Sequence, residues 1–71
     1  MTRMPVLFVY DELYDEIYCA TNTSESDALE ITMSAIEENV EKRFHCHKFD
    51  SELYREALTN MIVYYNYAPV F

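Results

Sequence analysis

The sequence has 71 residues, of which 51% are apolar and 15% aromatic, and its formal net charge is −8. This length and apolar content suit a single domain, residues 1–71, and exclude a disordered chain, because disordered chains are poor in apolar and aromatic residues. The negative charge disfavours direct binding to nucleic acid, since phosphates would be repelled.

No segment of the sequence has the character of a membrane span or a secretion signal. The apolar run near the start, residues 4–10, is far shorter than the ~20 residues that a spanning helix needs. A basic segment followed by a long apolar one is also missing, so we expect no signal peptide and a cytoplasmic location. In that compartment Cys19 and Cys46 are expected to stay reduced.

The first two elements are predicted to form a β-hairpin. Residues 4–10 (MPVLFVY) and residues 16–21 (EIYCAT) are rich in β-branched and aromatic side chains. Between them, residues 11–15 are polar and suit a turn. A helix through this region would place Asp11 over Asp15, a like-charge pair that costs a few tenths of a kcal/mol. The hairpin is therefore the favoured interpretation.

A long helix is predicted to begin at Ser24. The Ser24 side chain can cap the helix, and Asp27 three residues later is typical of a capping box. Lys42 and Arg43 lie in the last turn, where the helix dipole favours cations. The apolar stripe predicted to face the core has helical spacing and consists of Leu29, Met33, Ile36, Val40 and Phe44.

The remaining residues leave two readings open. Residues 44–49 are predicted to be a connector or a short third strand, and residues 51–66 have the periodicity of a second amphipathic helix. Residues 61–67 (MIVYYNY) could instead form a strand by propensity. The predicted fold class is α+β, a small two-layer domain in which the N-terminal hairpin packs on two helices in the order β-β-α-α.

The distribution of charge is the most informative feature. Residues 4–41 contain ten acidic residues and no Lys or Arg, whereas the other residues contain three acids and five bases. On a helical wheel, five of these acids fall within about 100° and span roughly 21 Å, or one charge per ~4 Å, close to the spacing along one DNA strand. The candidate partner-binding residues are Asp11, Glu12, Asp15 and Glu16 in the hairpin and Asp27, Glu30, Glu37, Glu38 and Glu41 in the helix.

Catalytic and metal-binding chemistry finds little support in the sequence. No nucleophile or glycine-rich phosphate motif occurs, because the chain has no glycine at all. The prediction is that the protein is not an enzyme and uses no cofactor. His45, Cys46 and His47 resemble metal ligands, but a structural zinc site needs four ligands, so no metal site is predicted.

In size, acidity and tyrosine content the chain resembles the small acidic proteins that bacteriophages make during host takeover. Several of these mimic DNA, and the inhibitor of the bacterial histone-like protein HU is the type that it resembles most. The resemblance implies a protein of the host cytoplasm or nucleoid, whose carboxylates stand where phosphates would and fill the basic cleft of a DNA-binding host protein. Binding of this kind should weaken with salt.

Two other interpretations of the acidic surface remain open. Charged helix faces are commonly just solvated surface that maintains solubility. The protein could also be an acidic interaction module, antitoxin-like or an assembly protein, that forms a homodimer through its apolar and tyrosine surface without mimicking DNA. The absence of interspersed lysine over residues 4–41 favours recognition of a basic partner.

Overall fold

The computed structural model describes residues 2–45 and 50–70. The elements along the chain are β1 (Thr2–Asp11), β2 (Glu16–Thr21), α1 (Glu25–Phe44), α2 (Ser51–Leu58) and β3 (Met61–Val70). The three strands form one antiparallel sheet in the order β2-β1-β3. The predicted α+β class, with a hairpin packed on helices, is confirmed.

The hairpin forms where the sequence predicts it. β2 has the predicted bounds, β1 is longer than predicted, and residues 12–15 make the turn. Asp15 has a φ of 51°, in the left-handed region. Asp tolerates this conformation better than most residues, and in a chain without glycine it takes the place that glycine commonly has.

Helix α1 begins and ends with the caps that its sequence indicates. The Ser24 hydroxyl accepts a hydrogen bond from the Asp27 N–H at 3.2 Å, which confirms the predicted N-cap. At the other end His45 adopts a left-handed conformation and its N–H donates to the Glu41 carbonyl. Lys42 and Arg43 lie in the last turn, as predicted.

The predicted second helix over residues 51–66 is wrong in its length, and the alternative reading of residues 61–67 as a strand is confirmed. Helix α2 ends at Leu58, and β3 pairs with the whole of β1, from Thr2 opposite Val70 to Asp11 opposite Met61. The pairing satisfies the backbone groups on the second side of β1, which a longer helix would leave without partners. β-Branched and aromatic residues also favour the strand.

Residues 44–49 were predicted to be a connector or a short third strand, but the third strand of the described sheet is β3. Phe44 ends α1 and His45 is its cap, while residues 46–49 lie outside the described residues. The Tyr65 hydroxyl ties β3 to the start of α1 by donating to the Thr23 carbonyl at 2.5 Å.

Helix α1 packs on one face of the sheet through small residues. Ala28 and Ala35 lie in one buried cluster with Leu7 and Val9 of the central strand. Leu29, predicted to belong to the core stripe, is instead 64% exposed. Ala28 and Ala35 are thus the residues of α1 that contact the strands. On the helical wheel Leu29 lies with Ile36 and Val40, on the side of α1 that α2 covers further along the helix.

A second buried cluster joins the two helices. It contains Ile36 and Val40 of α1 and Ala57 of α2, with Met33, Phe44 and Leu53 packed against it. Ile36 and Val40 are the members of the predicted stripe that are fully buried. Within residues 2–45 and 50–70, neither helix combines the length and apolar character required to traverse a lipid bilayer.

Candidate functional site

The acidic row of α1, defined as Asp27, Glu30, Glu37, Glu38 and Glu41, lies on the outer side of the helix. All five side chains are exposed. On the helical wheel they lie roughly opposite the buried residues Ala35, Ile36, Asn39 and Val40. The row therefore lies on the solvent side of α1, although Glu38 at its edge accepts a hydrogen bond from Tyr18 of β2 and Glu37 accepts one from Tyr54 of α2 at 3.3 Å.

Asp11 is not part of this surface, which corrects its predicted place on an acidic ridge. Its side chain is only 2% exposed. Oδ1 accepts hydrogen bonds from the backbone N–H groups of Leu13 at 3.0 Å and Tyr14 at 3.2 Å, and Oδ2 accepts one from Asn39 Nδ2 at 2.7 Å. Asp11 thus holds the hairpin turn and joins it to α1.

The other hairpin carboxylates lie at or near the surface, in two different settings. Glu12 and Asp15 are exposed in the turn. The Tyr10 hydroxyl donates to Asp15 Oδ1 at 2.7 Å, and this bond to a carboxylate raises the pKa of the Tyr10 phenol. Glu16 is half-buried at the start of β2, where it approaches α1.

Glu16 and the acidic row meet at one place, around Tyr18 and Lys42. Lys42 Nζ forms ion pairs with Glu16 and, at 3.4 Å, with Glu38. The Tyr18 oxygen lies 2.7 Å from a Glu16 oxygen and 2.6 Å from a Glu38 oxygen. The hairpin and helix carboxylates therefore share one side of the molecule at this junction.

Lys42 reduces the negative charge of that junction without removing it. Its hydrogen bond to Glu16 lowers the pKa of that carboxyl below the ordinary value. Lys42 Nζ also lies 5.2 Å from the centroid of the Tyr14 ring, a cation–π distance. Arg43, in contrast, is directed to α2, where Nη2 lies 3.8 Å from a Glu56 oxygen. Lys42 thus pairs with two of the six carboxylates that form the row and Glu16.

Stability above pH ~10 should fall more steeply in the native protein than in a Tyr18→Phe variant. Burial, together with the carboxylates of Glu38 and Glu16, raises the pKa of the Tyr18 phenol above its ordinary value of 10.0. Folding then favours the protonated phenol, so this stabilisation is fully present below pH ~10 and is lost as the pH rises through the folded-state pKa. Urea unfolding between about pH 8 and pH 11 measures both slopes, and equal slopes would contradict the assignment.

The buried pair of Asp11 and Asn39 is the feature that sequence reasoning missed. Asn39 is buried, and its Oδ1 has no hydrogen-bond partner among the residues that the structure describes. A signal was present, because Asn39 stands beside Val40 on the side of α1 that carries the core residues. A polar residue at such a position predicts a specific buried partner.

The described residues do not assemble a metal site. Among residues 2–45 and 50–70, no group of three or more His, Cys, Asp or Glu side chains is placed to hold a metal ion. Of the three residues that resembled metal ligands, His45 caps α1, while Cys46 and His47 lie outside the described residues.

Comparison with known proteins gives no relative. The chain matches no protein-family model, no curated protein and no solved structure. A functional proposal therefore depends on the surface itself.

Proposed function

We propose that this protein is a non-enzymatic DNA mimic that occupies the basic DNA-binding surface of a host nucleic-acid-binding protein, with the nucleoid protein HU as the first candidate. The observation that carries the proposal is the acidic row of α1. Its five carboxylates are exposed on the solvent side of α1, and those of Glu37 and Glu38 also accept hydrogen bonds from Tyr54 and Tyr18. A partner can reach them without disturbing the core.

The spacing of the row suits a surface that recognises phosphates. From Asp27 to Glu41 the helix rises roughly 21 Å, which gives about one carboxylate per 4 Å, against ~3.4 Å per phosphate along one DNA strand. The match lies in the average density of charge, because the step of seven residues from Glu30 to Glu37 leaves a gap of roughly 10 Å in the row. The rigid helix presents these charges already ordered, which lowers the entropic cost of binding.

The structure changes the shape expected of this surface. In place of two acidic ridges, there is one row along α1, joined by Glu16 near its C-terminal half. Glu12 and Asp15 are exposed in the turn, where Asp15 accepts a hydrogen bond from Tyr10. Asp11 contributes no exposed charge. Lys42 stands among the carboxylates of this half and leaves an excess of negative charge there.

Binding to HU should weaken steeply with salt and should displace DNA. Association of the acidic row with a basic groove releases counterions, so affinity should fall at least ~10-fold between about 50 and 200 mM salt. Fluorescence titration of labelled HU at both concentrations measures this, and release of a labelled duplex shows competition. If neither HU nor any other basic DNA-binding host protein binds at low salt, the proposal is wrong.

A matched pair of variants separates the acidic row from net charge alone. The row variant carries Glu37→Gln, Glu38→Gln and Glu41→Gln. The control carries Glu25→Gln, Glu52→Gln and Glu56→Gln, three exposed acids outside the row. The row variant should bind at least ~10-fold more weakly and with a shallower salt slope, while the control changes affinity less than ~3-fold. Unchanged binding by the row variant would support an interaction module that does not mimic DNA.

A further inference from the structure

The sheet has a second face, which neither of the two described helices covers. Leu7 and Val9 of β1 pack against α1, so the alternate residues of β1 point to the other side. The strand registers place their neighbours on β2 and β3 on that same side. We define the open face by eleven side chains: Met4, Val6, Phe8 and Tyr10 of β1, Ile17, Cys19 and Thr21 of β2, and Ile62, Tyr64, Asn66 and Ala68 of β3.

The open face is apolar and carries no Asp, Glu, Lys or Arg. Nine of its eleven residues are apolar or aromatic, although the chain contains thirteen acidic and five basic residues. Antiparallel sheets with one solvated face normally alternate apolar and polar residues along each strand. Here Ile17 is 61% exposed and Tyr64 51% exposed on the side that should be polar. This side of the sheet therefore lacks the character of a solvated surface.

The extent of the open face suits a protein interface of modest size. Two strands of ten residues and one of six give a planar area of about 420 Å² at the usual spacing of strands and residues. The largest apolar patch on a typical monomer is of this size and is often functional. Two such faces total about 840 Å² in planar terms, below the ~1,200 Å² at which standard interfaces begin, so the structure suits a weak dimer.

We propose that a second copy of this chain covers the open face, with the two sheets packed face to face about a two-fold axis. The two faces would lie ~10 Å apart, as in a β-sandwich, and the helices would form the outer layers. An isologous contact of this kind pairs the same apolar residues with one another.

The distribution of charge favours a second copy over an acidic or basic partner. None of the eleven side chains of the open face is charged, so a second copy brings no charge to be buried at the centre of the contact. The carboxylate of Asp15, which accepts from Tyr10, is exposed in the turn at the end of the face. In each copy of the proposed dimer, the acidic row lies on the solvent side of α1, away from the second copy. The acidic rows of the two copies would lie ~30 Å apart, because two helix diameters of ~10 Å and one spacing of ~10 Å between packed sheets lie between them. This distance is well beyond the ~8 Å screening length at physiological salt. Repulsion between two chains of charge −8 is therefore small in this arrangement.

The free edge of β3 is protected against the competing arrangement, in which two copies pair edge to edge. Pro5 lies opposite Tyr67 in the pairing of β1 with β3. The Pro5 carbonyl points away from β3, because it accepts from the Thr23 N–H, so Pro5 and Tyr67 form a non-hydrogen-bonded pair. The Tyr67 N–H therefore points to the free edge of β3. There it donates to Asn66 Oδ1 at 2.8 Å, within its own strand. Pro69, two residues further, has no N–H to offer. Both features limit strand addition along this edge.

The proposed dimer does not depend on DNA mimicry, and the two respond oppositely to salt. Sedimentation equilibrium should show a monomer of 8.5 kDa converting to a dimer with a dissociation constant on the order of 10 µM. Salt should leave this constant unchanged or lower it, because like charges are screened. A monomer at every concentration up to ~500 µM would overturn the proposal.

A matched pair of substitutions locates the interface. Ile17→Glu places a charge on the open face, and Leu29→Glu places one at a similarly exposed position on α1. The first should weaken the dimer at least ~10-fold, and the second less than ~3-fold, since a buried unpaired charge is costly whereas an exposed one is not. Equal effects of the two substitutions would place the contact elsewhere and overturn the proposal.

Cysteine labelling provides a readout that needs no substitution. Cys19 is exposed on the open face of the monomer. Its alkylation by iodoacetamide, followed by peptide mass spectrometry that separates it from Cys46, should slow as the protein concentration rises through the dissociation constant. A rate that stays constant while the dimer forms would show that the open face is not the interface.

Discussion

Replacing Asp11 by Ala should lower the free energy of unfolding by about 3 kcal/mol, among the largest effects of any single substitution in the chain. The carboxylate accepts hydrogen bonds from two N–H groups of the hairpin turn and from the Asn39 amide. Asp11→Ala leaves three donors without this partner, and it removes the only described side-chain bond between the turn and the buried side of α1. Urea unfolding followed by circular dichroism measures the loss.

Asp11→Asn is the matched control for that prediction. The Oδ1 of the substituted side chain can still accept from the two N–H groups of the turn. Asn39 Oδ1 has no partner among the described residues, and a flip of the Asn39 amide would present this oxygen to the new amide donor. We therefore expect a loss of only about 1 kcal/mol. A loss below about 1 kcal/mol for Asp11→Ala itself would show that the buried carboxylate does not stabilise the turn.

A Leu7→Ala substitution should cost about 3 kcal/mol, whereas Leu29→Ala should cost less than about 0.5 kcal/mol. Leu7 is 1% exposed on the central strand and packs in the cluster with Ala28 and Ala35, so truncation leaves a cavity there. Leu29 is mostly exposed on α1, and its truncation removes few contacts. A domain of this size is stable by roughly 4–10 kcal/mol, so the first loss is a large share of the total.

This pair tests which side of α1 faces the core, because the chemical change is the same at both positions. Thermal and urea unfolding of the two variants give the comparison directly. Equal losses at Leu7 and Leu29 would support the core position predicted for Leu29 and would contradict its exposure on α1.

The parts of the fold that local signals determine were predictable from the sequence. Ser24 caps α1 because its hydroxyl bonds a nearby N–H, and β2 has the predicted bounds because alternation and turn residues are local features. β3 was not decided in advance, since residues 61–70 pair with a strand more than fifty positions earlier in the sequence. Helix and strand propensities were closely balanced there, and the partner strand selected between them.

The candidate surface was likewise predictable where it depends on local sequence and not where it depends on distant contacts. The acidic row follows from helical periodicity alone, and the structure places its five members on one exposed side. The burial of Asp11 depends on Asn39, 28 positions away. The placement of Lys42 between Glu16 and Glu38 depends on the approach of the hairpin to α1. Neither contact leaves a trace in charge spacing along the sequence.

The central position of β1 has a consequence for synthesis on the ribosome. β1 is made first, yet one of its two flanking strands, β3, is the last of the five elements to emerge. Until residues 61–70 leave the exit tunnel, one side of the central strand has unpaired backbone groups beside apolar side chains. The nascent chain is therefore open to wrong pairing until β3 emerges, and the native sheet can form only after that point.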